Sequence, residues 1–337
     1  MRCAVTTAGV LRREAAELAA LAQSKGLFLM EAMWTRFLPA TIEALRLVSE
    51  GAIGQLKSAH ASIGGPMDVG AASAAGFKEM AGPTLEEQQA EKVLGDGILL
   101  GAGVYALTIP SFFFQQEYGH DDAALTISST GMLNHAGADV SGQYVVTYPG
   151  SGNAVAHISR EYPLPNETWL YGTRGHIRLN STWGPSAIEL NGELLEVPFL
   201  APSVLAKAKW SGLDDSTVWR SGLAHEIIEC AECIGAVAAT LHCYRPIERL
   251  FTQSHGSLPH LSHKRAWALL ARAHRIAAAG RRESATWPLS STLAIMRLMD
   301  QARAQLGISY QSVRPVCLSV CLSVCLSVCL SICQCCL

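Results

Sequence analysis

Charged and aromatic residues are both scarce in this chain. Asp, Glu, Lys and Arg make up 16% of its 337 residues, aromatic residues make up 7%, and the formal net charge is −2. Because nucleic-acid binding needs a basic patch that neutralises phosphates, a near-neutral balance without a basic block argues against a nucleic-acid partner. The hydrophobic content of 49% excludes a chain too polar to form a core. We therefore predict a globular protein, long enough for two domains, that handles a small molecule.

Cysteine is also scarce outside the end of the chain. Only four cysteines precede residue 317, and the other seven lie in the last 21 residues. The chain does not start with the basic segment and apolar run that are typical of a secretory signal. So few cysteines in the body of the chain fit a reducing compartment, and we predict a cytoplasmic protein.

The last part of the chain is a repeat. Residues 316–332 read VCLSVCLSVCLSVCLSI, a four-residue period that matches no helix, coiled coil or strand. Because Cys-Leu-Ser-Val can be encoded by one repeated tetranucleotide, we interpret residues 311–337 as a low-complexity tail of translated repeat DNA. A membrane anchor is the alternative, since residues 316–337 are uncharged and long enough to span a bilayer. The regularly spaced serines and the absence of flanking aromatic residues disfavour it.

The first ordered segments predict an αβα unit. Residues 11–25 carry apolar side chains at helical spacing, and Gly26 follows where a helix end is expected. Residues 27–30 form a short apolar run that is typical of a buried strand of a parallel sheet. A second helix is predicted to begin at Pro39 and to end at Gly51.

From residue 56 to about residue 199 the apolar period changes to two. Successive strands joined by tight turns such as Asn191-Gly192 predict an antiparallel sheet, and residues 288–306 predict a late helix. The fold class is therefore α+β: an open antiparallel sheet with helices on one face, preceded by one αβ unit. The predicted strands cover residues 57–63, 124–129, 143–148, 154–160, 169–171, 176–179 and 187–197.

Residues 234–277 show no sustained period. A metal site there would pair Cys230-x-x-Cys233 with His260-x-x-His263, but 26 residues separate the two pairs, whereas a zinc finger has roughly 12–15. We therefore predict a poorly ordered insertion and no metal site.

The segment Gly101-Ala102-Gly103-Val104-Tyr105-Ala106 matches the G-x-G-x-x-A pattern of dinucleotide-binding turns. The apolar run before it is short, Pro110 follows within two turns, and no alternating βαβ series comes after it. We therefore reject the fingerprint and predict an uncharged helix over residues 98–114, in which small residues allow close packing against the sheet.

Two groups of residues in these segments could carry chemistry. Tyr105 is the titratable side chain of an apolar helix, where a buried phenol most often has only a structural hydrogen bond. Glu31, Trp34 and Arg36 come directly after a predicted parallel strand, and open α/β sheets bind ligands beyond the carboxyl ends of their strands. The alternative is a helix entry with a core tryptophan and a surface ion pair.

Five segments together resemble the Gfo/Idh/MocA oxidoreductase family, and within it the dihydrodiol and D-xylose dehydrogenase subgroup. They occur in the family's order and cover roughly residues 10–233 and 278–310. The segments are LFLMEAMWTRFLPA, GQLKSAHASIG, GDGILLGAGVYAL, LYGTRGHIRLNSTWGP and GRRESATWPLSSTLAIMRLMDQARAQLGISY.

The resemblance implies an N-terminal Rossmann domain that holds NAD(P), with NADP preferred, and a C-terminal domain whose open sheet face makes a homodimer contact. It implies that Tyr105 is the catalytic residue, taking the proton from a substrate hydroxyl as hydride leaves. It also implies that Trp34 and Arg36 are substrate-binding residues. The substrate is expected to be a small diol or a pyranose sugar, with neither a nucleic-acid nor a membrane partner.

Three family features are missing from the expected positions. The chain shows no phosphate-binding turn before Glu31, residues 1–6 read MRCAVT where an E-K-P motif with its lysine is expected, and Gly101 stands where subgroup members carry an acid. We therefore interpret residues 1–32 as the remnant of a Rossmann domain and residues 33–310 as the substrate and dimerisation domain. The printed chain is expected to be impaired as an enzyme.

Two other interpretations stay open at this point. The chain could be a non-catalytic module that pairs through its sheet face with full-length relatives. Alternatively, the atypical start, insertion and tail could each have arisen in gene prediction, in which case the gene's actual product is an ordinary enzyme.

Overall fold

The computed structural model describes most of the residues between 11 and 308. These are residues 11–65, 97–118, 124–134, 137–197 and 282–308, together with a strand at residues 3–6 and helical residues at 225, 226, 229, 230 and 233. The predicted insertion at 234–277, the tail at 311–337 and both histidines of the rejected metal pair lie outside the described residues.

The N-terminal elements form a small parallel unit. Strand β1 (Cys3–Thr6) pairs in parallel with β2 (Phe28–Glu31), and helix α1 (Arg12–Ser24) connects them. Gly26 has a φ of 64°, the left-handed conformation that glycine adopts readily at a helix end. The predicted helix and strand are confirmed. Strand β1 was not predicted.

The chain then leaves β2 through a tight helical turn. A 3₁₀-helix (Trp34–Phe37) is followed directly by helix α2 (Pro39–Ser49). Pro39 occupies the first turn of α2. Backbone N–H groups in the first turn of a helix have no acceptor within the helix, so the missing N–H of proline costs no hydrogen bond there. The sequence placed this helix start correctly, and Gly51 follows its end with a φ of 76°.

Eight strands form the main sheet, in the order β10-β9-β8-β7-β3-β6-β5-β4. The long run predicted at residues 187–197 is a hairpin of two strands. The strands are β3 (Leu56–Gly64), β4 (Thr126–Leu133), β5 (Asp139–Tyr148), β6 (Gly152–Ser159), β7 (Thr168–Gly172), β8 (His176–Leu179), β9 (Ala187–Leu190) and β10 (Glu193–Glu196).

The sheet is mixed rather than wholly antiparallel as predicted. Strand β3 pairs in parallel with β6, and the other described pairs of this sheet are antiparallel. A parallel pair needs a long crossover connection, and the chain between β3 and β6 contains a helix and two further strands. Periodicity alone does not reveal this pairing, because both kinds of strand alternate with a period of two.

Helices cover one face of the sheet. Helix α3 (Val104–Tyr118) packs on the central strands, α4 (Leu289–Gln305) packs on β4, and α2 packs on β8 and β9. In this layer Phe114 stacks on Tyr148 with ring centroids 4.1 Å apart. Burying each such large side chain contributes roughly 1.5–3 kcal/mol. The α+β class with helices on one face is therefore confirmed.

The start of α3 is irregular. A π-helical turn (Leu99–Gly103) leads into the helix, so the residues before the G-x-G-x-x-A segment are helical rather than a strand. A Cβ on Gly103 would lie 2.8 Å from Ile158 Cδ1, which confirms the predicted close packing. The buried carboxylate of Asp139 accepts a hydrogen bond from the Leu99 N–H at 2.6 Å and fixes the turn to β5.

The opposite face of the sheet carries a set of partly exposed side chains. Trp169 and Tyr171 stack with centroids 5.9 Å apart, and His60 meets the Tyr171 ring edge-on. Val145 is 36% exposed on the neighbouring part of this face. The helices within the described ranges are too short or too polar to cross a membrane.

Candidate active site

The predicted site is built where β2 ends against the first turn of α3. Trp34 begins the 3₁₀-helix that follows β2, and Tyr105 is the second residue of α3. The Trp34 indole Nε1–H donates a hydrogen bond to the Tyr105 hydroxyl oxygen over 3.2 Å. Trp34 is 7% exposed and Tyr105 is half-buried. The structure thus brings together two residues that lie 71 positions apart in the sequence.

A loop between β8 and β9 covers Trp34. The Thr35 hydroxyl donates to the Trp183 carbonyl oxygen, and a Cβ on Gly184 would lie 3.1 Å from the Trp34 ring. Trp183 itself is 51% exposed, which is unusual for an indole beside a buried site. Sequence reasoning missed Trp183, because an isolated tryptophan in a turn carries no periodic signal.

Arg36 is fully buried, with 0% exposure. Its guanidinium carbon lies 2.8 Å from the centroid of the Trp287 ring, and its Nη2 is 3.9 Å from the Glu31 Oε2. None of its three guanidinium nitrogens has a hydrogen-bond partner among the described residues. Burial lowers the pKa of Arg36, and the carboxylates of Glu31 and Glu226 oppose that shift.

Glu31 is held from the opposite side by helix α4. The Thr292 hydroxyl donates to the Glu31 Oε2 over 2.7 Å and accepts a hydrogen bond from the Trp287 indole over 2.9 Å. Together with the contacts of Arg36 to Glu31 and Trp287, these two hydrogen bonds link the end of β2, the 3₁₀-helix and the start of α4 into one polar cluster.

Glu226 completes the cluster from a helical segment. It is 6% exposed, and its pKa is raised to about 7 by burial and by the charge of Glu31, with Arg36 acting in the opposite direction. Sequence reasoning missed Glu226. It lies in a segment whose apolar spacing was not resolved, and only the fold brings it beside β2.

The phenol of Tyr105 is neutral near pH 7 in this environment. Burial is the main cause that raises its pKa, and the charges of Glu226 and Glu31 act in the same direction. The hydrogen bond from Trp34 lowers the pKa of Tyr105 but does not overcome burial. A phenol whose pKa is raised holds its proton tightly near pH 7, and it acts as a base only with help that favours the phenolate.

Gly101 marks open space near the site. It is exposed, and a Cβ built on it has no heavy atom within 4 Å. The position at which the family resemblance implies an acid therefore has room for one.

The glycine-rich segment that resembles a dinucleotide-binding turn is not placed like one. This G-x-G-x-x-A segment lies in a π-turn and a helix, whereas a phosphate-binding turn joins a strand to a helix. Within the described residues there is no group of three or more His, Cys, Asp or Glu side chains placed to hold a metal ion.

Comparison with known proteins places the sheet and the helices packed on it in a known kind of domain. Residues 41–178 match the family model of the GFO/IDH/MocA C-terminal domain. This part of the chain is therefore similar to the C-terminal domain of Gfo/Idh/MocA proteins.

Its relatives include two vertebrate trans-1,2-dihydrobenzene-1,2-diol dehydrogenases. The mouse enzyme is 32% identical, over 67% of this chain and 59% of the relative. The Xenopus laevis enzyme is 28% identical, over 65% of this chain and 57% of the relative. This chain therefore spans less than two thirds of the length of these relatives. Among solved structures, the 3-ketoreductase KijD10 from Actinomadura kijaniata with NADP and TDP-benzene is 21% identical, with a TM-score of 0.45 and coverage of 64% and 65%.

Proposed function

We propose that this chain supplies the substrate domain of a dehydrogenase that oxidises a CH–OH group of a small diol or a pyranose sugar. A trans-dihydrodiol and D-xylose are the two substrates proposed. The observation that carries the proposal is the hydrogen bond from Trp34 to Tyr105 at the end of β2, in a chain related to dihydrodiol dehydrogenases.

In this proposal Tyr105 handles the proton of the reacting hydroxyl. The Trp34 N–H donates to the Tyr105 oxygen and favours its ionised form, which would accept the proton of the substrate hydroxyl as hydride leaves for the nicotinamide. Trp34 forms an apolar wall of the substrate site. The buried Arg36 pairs with Glu31 at the end of β2, and it would contribute to substrate binding by holding this end of the strand in place rather than by contacting the substrate.

We propose NADP, rather than NAD, as the hydride acceptor of the complete enzyme, because the family resemblance implies it. The proposal assigns to this chain only the substrate contact and the proton transfer at Tyr105.

The experiment is an NADP-linked assay on the purified 337-residue chain, with D-xylose and trans-1,2-dihydrobenzene-1,2-diol as substrates. Because residues 1–30 contain no G-x-G-x-x-G turn, the polypeptide alone is expected to produce little or no NADPH. Turnover at the rate of an ordinary dehydrogenase, on the order of 1–10³ per second, would show that the nucleotide is bound. The prediction that this chain is impaired as an enzyme would then be wrong. Loss of that turnover in Tyr105→Phe would still support a catalytic role for Tyr105.

The open sheet face favours a second role, pairing with another copy of the chain or with a full-length relative. Val145 and the stacked pair of Trp169 and Tyr171 lie on the face that the described helices do not cover. Aromatic residues are enriched at the centres of protein interfaces, with a polar rim around them. Arg178 pairs with Glu167 and Glu189 beside them, as such a rim would require.

A further inference from the structure

One buried carboxyl of the site has no role in the proton transfer proposed above. Glu226 is 6% exposed, and its Oε2 has no hydrogen-bond partner among the described residues. Its charge acts on Glu31 and Arg36 and also on the phenol of Tyr105. Burying a charged carboxylate without a hydrogen-bond partner costs free energy, and this cost favours the protonated form of the group.

The segment that carries Glu226 is packed against the site. Cys230 and Cys233, on the same helical segment, lie in a buried cluster with three side chains of β2 and the 3₁₀-helix. Glu229 accepts a hydrogen bond from the Ser284 hydroxyl. These contacts fix the position of Glu226 relative to the strand that ends in Glu31.

The charges of the cluster do not balance when every acid is ionised. Among the residues that the structure describes, two carboxyls, Glu31 and Glu226, act on one guanidinium, Arg36. Glu31 already accepts a hydrogen bond from Thr292 and pairs with Arg36, an arrangement that suits a carboxylate. Because an uncompensated buried charge is strongly unfavourable, the proton that restores neutrality belongs on Glu226.

We propose that Glu226 is a positioning residue that controls the protonation of Tyr105 by carrying the exchangeable proton of the buried cluster. The proposal rests on the proposed function of Tyr105 as the proton-transferring group. The ionisable groups that face Glu226 from the packed elements are Glu31 on β2, Arg36 on the 3₁₀-helix and Tyr105 on α3. With the proton on Glu226 the cluster is neutral, and the phenol can ionise more easily. Without it, a second negative charge opposes phenolate formation.

The test is a spectrophotometric titration of Tyr105, read as the difference between a chain and its Tyr105→Phe counterpart. Removing the charge with Glu226→Gln is expected to lower the pKa of Tyr105 by about half a unit or more. Glu226→Asp keeps the charge and is expected to titrate like the parent chain. Glu229→Gln removes a carboxylate from the same segment that does not act on the phenol, and is the matched control.

An unchanged Tyr105 titration in folded Glu226→Gln overturns the proposal, as does an equal shift in Glu229→Gln. If Glu226→Gln does not fold, infrared difference spectra of the parent chain, recorded as a function of pH, test the proposal instead. A protonated carboxyl band that disappears with a midpoint near pH 7 supports the proposal, and its absence already at pH 6 overturns it. Neither readout depends on turnover, so failure here and failure of the proposed dehydrogenase function are distinguishable.

Discussion

At the scale of single residues, the site depends on one hydrogen bond and one unusual group of buried charges. The sequence indicated Tyr105, Trp34 and Arg36, because segments around them resemble a family whose site residues are known. It could not indicate Glu226 or Trp183, since their importance comes from neighbours that only the fold provides. A buried carboxyl differs from an exposed one through its surroundings, and those cannot be read from its position in the chain.

Trp34→Phe tests the hydrogen bond. The Trp34 indole lowers the pKa of Tyr105, because donating to the phenol oxygen favours the ionised form. We expect the substitution to raise the pKa of Tyr105 in the difference titration. Trp169→Phe, on the opposite face of the sheet, is the control and should leave the Tyr105 titration unchanged. A Trp34→Phe curve that superimposes on the parent curve would show that the contact has no electrostatic effect.

Glu226→Gln also tests the burial of its carboxyl through stability. The pKa of Glu226 is raised from 4.5 to about 7, so its contribution to stability is complete below pH 4.5 and is lost as the pH rises through 7. Relative to Glu226→Gln, the free energy of unfolding of the parent should therefore fall by about 3 kcal/mol between pH 4.5 and 8. Urea unfolding of both chains over this range measures it. Parallel pH profiles would contradict the raised pKa.

At the scale of elements, most helices and strands were predictable and their pairing was not. Apolar spacing and the glycines at helix ends located α1, α2 and α4 within one or two residues. The parallel pairing of β3 with β6 depends on contacts between residues about 95 positions apart, such as Ser58 with Asn153. Local periodicity contains no information about such contacts.

Asp139→Ala tests how the helix that carries Tyr105 is anchored. The Asp139 carboxylate accepts the Leu99 N–H at the start of the π-turn, and removing it leaves that donor without this partner. We expect a loss of about 1–3 kcal/mol in the free energy of unfolding. Asp139→Asn keeps an acceptor oxygen and should lose less. Equal losses in the two variants would mean that the hydrogen bond does not anchor the turn.

At the scale of the whole molecule, one sheet separates the two proposed functions. Its covered face packs on α3, the helix that carries Tyr105, and its open face is proposed to make a subunit contact. The α+β architecture could be predicted from the change of apolar period at residue 56. The partner that covers the open face could not be predicted, because the apolar period of a strand does not indicate what binds to it.

Val145→Glu tests the proposed subunit contact. A charge placed at the centre of an apolar interface should weaken association at least about tenfold, equivalent to about 1.4 kcal/mol. Sedimentation velocity is expected to show a dimer for the parent chain and a monomer for Val145→Glu. Leu21→Glu places the same charge on an exposed apolar residue of α1 and should remain dimeric. A monomeric parent chain, or a dimer that tolerates Val145→Glu, would contradict the contact.

The most direct measurement of the substrate site is saturation-transfer NMR of trans-1,2-dihydrobenzene-1,2-diol and D-xylose with the purified chain. We predict that the chain transfers saturation to at least one of the two compounds, that Trp34→Ala abolishes the transfer, and that Trp169→Ala preserves it. Equal transfer by the parent and Trp34→Ala, or none to either compound, would contradict a substrate site formed by Trp34 and Tyr105.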